Sequence, residues 1–138
     1  KEITPQRPGF IELEYREGDW YMRDSYVGHY QAPGMIVVYF KNKPVWTCAY
    51  GGQVVEQFHP NTNEIFTFLK KSLTSENRGK ADNLPVRGPS KFVEGIWKYT
   101  FEFEGDLQCY SAKEKIFMNN ELCFFQDVIG GLVMGKET

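Results

Sequence analysis

The sequence predicts an α+β fold, mostly antiparallel β, in which two duplicated β-meander units are joined by one helix and a long loop. Three observations lead there. Short segments alternate apolar and polar residues between turn residues, the period-two pattern of half-buried strands. A single segment carries apolar residues at helical spacing. Residues 18–45 also align without gaps on residues 95–122.

The strands come first. In residues 10–15, Ile11, Leu13 and Tyr15 alternate with Glu12 and Glu14, and residues 16–19 form a turn. Residues 20–27 place Trp20, Met22, Asp24 and Tyr26 on one face. Pro33 breaks a loop over 31–34, and residues 35–40 read as a central strand. A turn at 41–44 leads to a strand over 45–50, which Gly51 and Gly52 are expected to end. In the second half Trp97, Tyr99, Phe101 and Phe103 alternate with polar residues. Segments 107–112, 115–118 and 121–126 follow, with turns at Gly105-Asp106 and Asn119-Asn120.

Between the halves, Asn61-x-x-Glu64 has the spacing of a capping box. Ile65, Leu69 and Leu73 then recur along one stripe, flanked by Phe66 and Phe68, so a short amphipathic helix ending near Ser75 should cover a sheet face. Residues 77–90 are polar, rich in Gly and Pro, and long for a loop inside a compact domain.

The internal alignment matches six of 28 positions, including Gly18/Gly95, Trp20/Trp97, Gly28/Gly105 and Asn42/Asn119, where ordinary composition gives about two by chance. The matched residues are strand-opening Trp, turn Gly and hairpin Asn. Repeat units over about 10–55 and 92–134, joined through 60–91, form one domain spanning 1–138 on this reading.

Composition narrows the function classes. The 138 residues carry a net charge of −2, which gives no general attraction for phosphate backbones. A basic stretch over 70–91 is interrupted by Glu76 and Asp82, so nucleic-acid binding through this domain is not expected. No apolar run reaches membrane-span length. Cys48, Cys109 and Cys123 lack zinc or redox spacing and sit among apolar residues; buried free thiols in a cytoplasmic, reducing compartment are the expectation. No cofactor or metal is implied. Aromatics make up 16% of the chain, enough for an aromatic core or for the lining of a ligand pocket.

No nucleophile, base and orienting group assemble in any motif. Asp24 shares the face of three large apolar residues and, if buried, needs a partner such as Arg87, whereas Arg23 points the other way. His29 and His59 read as loop residues, and Glu102 and Glu104 as a solvated strand face.

Two stretches, Tyr21-Met22-Arg23-Asp24-Ser25-Tyr26-Val27-Gly28 and Pro44-Val45-Trp46-Thr47-Cys48-Ala49-Tyr50-Gly51-Gly52, together with the helix 65–73 and Arg87-Gly88-Pro89, resemble a bacterial domain family of unknown function. Its members occur alone or as the C-terminal part of helix-turn-helix regulators. The resemblance runs from about Leu13 to Val133 and implies an association with regulation but no assigned chemistry. The chain departs from the family at Ile36, where Glu is usual, at Ala112, where Gly is usual, and at Cys48, where Met is frequent. The second unit keeps the acidic residue as Glu114. The family's N-terminal helix has no counterpart in this sequence.

These readings lead to a small-molecule-sensing module with its site in the groove between the two units. The candidate ligand-binding residues are Trp20, Asp24, Tyr26, Trp46, Tyr50, Arg87 and Glu114. Arg87→Ala is expected to weaken binding and leave the domain folded. Two alternatives stand beside it: a homodimeric interaction module pairing through sheet edges, and an enzyme using Asp24 or Glu114 as acid or base.

Overall fold

The computed structural model describes residues 1–75 and 87–136. Among them nine strands form one antiparallel sheet. They are β1 (Glu2–Ile3), β2 (Phe10–Glu17), β3 (Trp20–Val27), β4 (Gly34–Phe40), β5 (Lys43–Val54), β6 (Lys91–Glu94), β7 (Trp97–Asp106), β8 (Cys109–Met118) and β9 (Glu121–Leu132). The order across the sheet is β1-β2-β3-β4-β5-β9-β8-β7-β6. The first meander therefore runs inward to β5, the second runs inward to β9, and these two long strands join them. Their register places Tyr50 opposite Val128.

The two meanders share local detail. Gly18 and Gly95 both have φ of 60°, in turns that precede Trp20 and Trp97. Register breaks fall between Val38 and Tyr39 in β4 and between Ile116 and Phe117 in β8. Lys41 and Asn42 take positive φ in one hairpin, as Asn119 and Asn120 do in the other. Both central residues at positive φ is what a two-residue hairpin of matching twist requires. This pairing sits one residue away from the ungapped alignment, because β7 and β8 together are five residues longer than β3 and β4, while the connector between them is four residues shorter.

Several boundaries differ from those the sequence predicts. Gly51 and Gly52 do not end β5, which continues to Val54. A Cβ on Gly52 would lie 1.9 Å from the Phe125 carbonyl oxygen, so glycine here permits close approach to β9 instead of breaking the strand. Segments 107–112 and 115–118 are one strand, β8, because Lys113 and Glu114 stay in the ladder opposite Asp127 and Gln126. The edge strands β1 and β6 are too short to show as periodicity. Residues 77–86 of the expected loop lie outside the described residues.

Helix α1 (Thr62–Leu73) follows a 3-10 turn, Glu56–Asn61. Asn61 reaches the Glu64 carboxylate at 3.2 Å but caps no backbone group. The 3-10 turn instead supplies the His59 carbonyl to the Thr62 N–H, so the capping box is not formed. Ile65, Phe68 and Ser72 form the buried stripe, and Leu69 and Leu73 fall at its margin. Phe68 stacks between Phe92 and Trp97, and Phe66 meets Phe124 edge-on. The helix thus covers the second meander. The buried core reflects this: Tyr99, Phe101, Tyr110, Ala112, Ile116, Phe124 and Val128 come from that half, and only Cys48 and Val54 from the first. On the opposite sheet face, polar ladders such as Glu12 with Arg23 and Ser25, and Lys113 with Asp127, satisfy one another. Glu102 and Glu104 are solvated there as expected.

Cys48 and Cys123 are buried free thiols, and burial pushes the Cys123 thiol up to about 11. Cys109 is exposed, contrary to its apolar sequence context, because it opens β8 directly after a turn. Among the described residues no helix is long and apolar enough to cross a membrane.

Ile65 is fully buried where α1 meets the sheet. Ile65→Ala should lower unfolding free energy by about 2–5 kcal/mol, read by urea denaturation. A loss under about 1 kcal/mol would mean that α1 contributes little to the fold.

Candidate functional site

Glu114 lies in the middle of β8 with no exposed surface. An ionised carboxylate there requires compensation, and three segments provide it. Arg87 donates from Nε to both carboxylate oxygens, at 3.0 and 2.8 Å. Tyr99 on β7 donates its hydroxyl at 2.5 Å, and Gln126 on β9 its amide at 2.6 Å. Tyr99 and Gln126 reach it because their strands flank β8 and their side chains share its face.

Arg87 has no strand to place it, and Gly88 does that work. A Cβ at Gly88 would come within 2.4 Å of the Tyr99 hydroxyl and 2.7 Å of its ring, so only glycine lets the chain lie on Tyr99. Pro89 is buried, and the Ser90 carbonyl accepts from the Phe101 N–H at 3.0 Å. Arg-Gly-Pro is therefore the device that delivers a guanidinium to Glu114.

Beside this cluster, where α1 leaves the first meander uncovered, is a cavity of about 350 Å³. Its floor is polar, formed by Asp24, Tyr50, Arg87 and Gln126. Its walls are aromatic and aliphatic, from Tyr26, Tyr30, Phe66, Leu69, Leu73 and Phe124. Tyr50 donates to Asp24 Oδ1 at 2.7 Å, and the Arg87 guanidinium carbon stands 5.3 Å from the Tyr50 ring centre. At the rim, Tyr30 stacks on His59 with centroids 3.9 Å apart.

The electrostatics follow from burial. Desolvation raises the Asp24 carboxyl above its ordinary range, against the Tyr50 hydrogen bond and the Arg87 charge, which lower it. Burial, and then Asp24, push the Tyr50 hydroxyl far above its usual range, so it stays a donor. Burial disfavours the charged form of Arg87, but the Glu114 carboxylate outweighs it and holds the guanidinium protonated.

Of the residues singled out in the sequence, Asp24, Tyr26, Tyr50 and Arg87 line this cavity, and Glu114 lies beneath Arg87. Asp24 takes its hydrogen bond from Tyr50, not from Arg87. Trp20 and Trp46 are not among the lining residues. Trp20 is half exposed and packs on Phe40, since it opens β3 at the far end of the strand. Trp46 stacks on Tyr110 and donates Nε1 to the Leu107 carbonyl at 2.9 Å. His59 belongs to the 3-10 turn, whereas His29 is in a loop. Sequence reasoning missed Gln126 and Tyr30. A polar residue inside the apolar run of β9 was a usable signal for Gln126; Tyr30 carried none.

Arg87→Ala also strands a buried carboxylate, a stability cost that the sequence-based expectation did not include. Arg87→Ala should cost about 3–5 kcal/mol in urea denaturation, and the paired Arg87→Met/Glu114→Leu variant far less. Equal losses in both would show that the ion pair is not what matters. Asp24 supplies a pH signature. The folded state holds its proton more tightly than the unfolded chain, so Asp24 reduces stability at neutral pH and the penalty disappears as pH falls towards about 4. Asp24→Asn should therefore melt above the native protein at pH 7, with the gap closing on acidification. A gap that widens would contradict this assignment.

No curated protein and no solved structure was found to match the chain. A family model described as "Domain of unknown function (DUF5680)" matches residues 24–133, a span that contains Asp24, Tyr50, Arg87, Glu114 and Gln126. The chain therefore belongs to that family of unknown function.

Proposed function

We propose that the protein is a small-molecule-binding module whose ligand occupies the cavity between α1 and the first meander. One observation carries this reading: a few polar groups converge on the floor of a concave site whose walls are aromatic and aliphatic. Small-molecule sites have this composition, with apolar walls contributing area and a small polar set fixing orientation. The volume lies at the lower end of the usual range for such sites, which suits a compact metabolite. The resemblance to domains carried by helix-turn-helix regulators supports a sensing role in the bacterial cytoplasm, with occupancy read out by a DNA-binding segment elsewhere.

The competing readings have less behind them. Glu114 already accepts from three side chains and is sealed from solvent, a poor situation for a general base. The pairing reading has only the open stretches of β2 and β7 beyond the short strands β1 and β6 to support it.

Ala32 lines the cavity from the connector between β3 and β4, so Ala32→Trp fills the site without touching the ladder. Thermal-shift and native mass-spectrometric screening against a metabolite set should find a ligand that adds about 2.7 kcal/mol at 100 times its Kd. Ala32→Trp should abolish the shift. A shift that survives the substitution places the ligand elsewhere, and an empty screen moves the weight to an interaction module.

A further inference from the structure

The floor of the cavity specifies more than a polar end. Asp24 and Arg87 each commit one part of their side chain to the protein and leave the other part uncommitted. Asp24 Oδ1 is held by Tyr50, while among the described residues Oδ2 makes no hydrogen bond. Arg87 Nε is held by Glu114, while among the described residues its two terminal nitrogens make none. Both groups line the cavity and both abut Tyr50, so a single ligand edge can meet them together.

From this arrangement we infer that the cavity takes a neutral, planar cyclic amide, with its ring N–H donating to Asp24 and its carbonyl accepting from Arg87. The inference rests on the binding reading above and adds the ligand class. Three features carry it.

The first is charge. Glu114 lies beneath Arg87 with no exposed surface, so the ion pair presents its positive end to the cavity. Asp24 presents a negative group on the same floor. An anion approaching Arg87 meets Asp24, and a cation approaching Asp24 meets Arg87; on this half-buried floor both repulsions are stronger than in bulk water. A neutral group with a donor beside an acceptor gains two charge-assisted hydrogen bonds and adds no charge.

The second is the number of partners. One uncommitted carboxylate oxygen suits one N–H. Two terminal guanidinium nitrogens suit a carbonyl oxygen, which has two lone pairs. An ammonium brings three donors to a site whose walls are largely apolar, and a buried donor left unpaired is costly.

The third is shape. Tyr26, Tyr30, Phe66 and Phe124 contribute aromatic side chains to the walls. Flat rings pack against such surfaces by offset stacking or edge contact.

The test uses calorimetric titration of the full chain at pH 7. The probes are 2-quinolone, a bicyclic lactam; its N-methyl derivative, which lacks the donor; the quinoline-2-carboxylate anion; tryptamine, a cation; and tryptophan, a zwitterion. 2-Quinolone should bind, lose its heat in Ala32→Trp, and exceed every other probe by about tenfold or more in affinity. Equal binding of the N-methyl derivative would overturn the donor assignment and with it the inference. Tighter binding of the anion, cation or zwitterion, still abolished by Ala32→Trp, would overturn the ligand class but leave the binding reading standing. Absence of heat from all five at about 1 mM would overturn the ligand class, and the metabolite screen with Ala32→Trp would then decide the binding reading separately.

Discussion

The buried carboxylate of Glu114 is the constraint around which this protein is organised. Desolvating an ionised carboxylate is costly enough that its surroundings must supply both a countercharge and hydrogen bonds. Arg87, Tyr99 and Gln126 do so from a loop and two strands. Satisfying Glu114 therefore ties β7, β8 and β9 to the chain that returns after α1. It also explains residues that never touch the carboxylate. Gly88 is needed because the path to Glu114 passes across the Tyr99 ring. Pro89 and Ser90 then hand the chain to β6 and β7.

That arrangement breaks the likeness of the two meanders at one point. In the second, Glu114 stands between Phe101 and Gln126; in the first, Ile36 stands between Asp24 and Cys48. The acidic group has moved to the neighbouring strand, where Tyr50 rather than an arginine holds it. Glu114 needs a full countercharge because it is sealed. Asp24 manages with a hydroxyl and a more distant guanidinium because it borders the cavity, and burial still raises its carboxyl. One carboxylate is structural, and the other is presented.

The cavity arises from a mismatch between the sheet and its cover. Nine strands make a surface much wider than one helix of 12 residues can screen. Phe68 anchors α1 on Phe92 and Trp97, within the second meander. Leu69 and Leu73 then face the gap left over the first. Their apolar character fits the core-facing stripe expected from the sequence, yet they end as a wall.

Strand identity, the helix and the matched turns were legible because each rests on local chemistry: alternation, helical spacing, glycine and asparagine at positive φ. Asp24 could be singled out for the same reason, since a carboxylate among Trp20, Met22 and Tyr26 is a local inconsistency. Its partner could not be read, because Tyr50 lies two strands away and is brought there only by the order β3-β4-β5. Trp20 and Trp46 were as conspicuous in sequence as Tyr50, but their positions along the strands keep them from the cavity. Period-two patterning determined which face each side chain takes. Only the tertiary structure decided which part of that face α1 would cover, because the position of the helix depends on aromatic contacts between residues far apart in the chain.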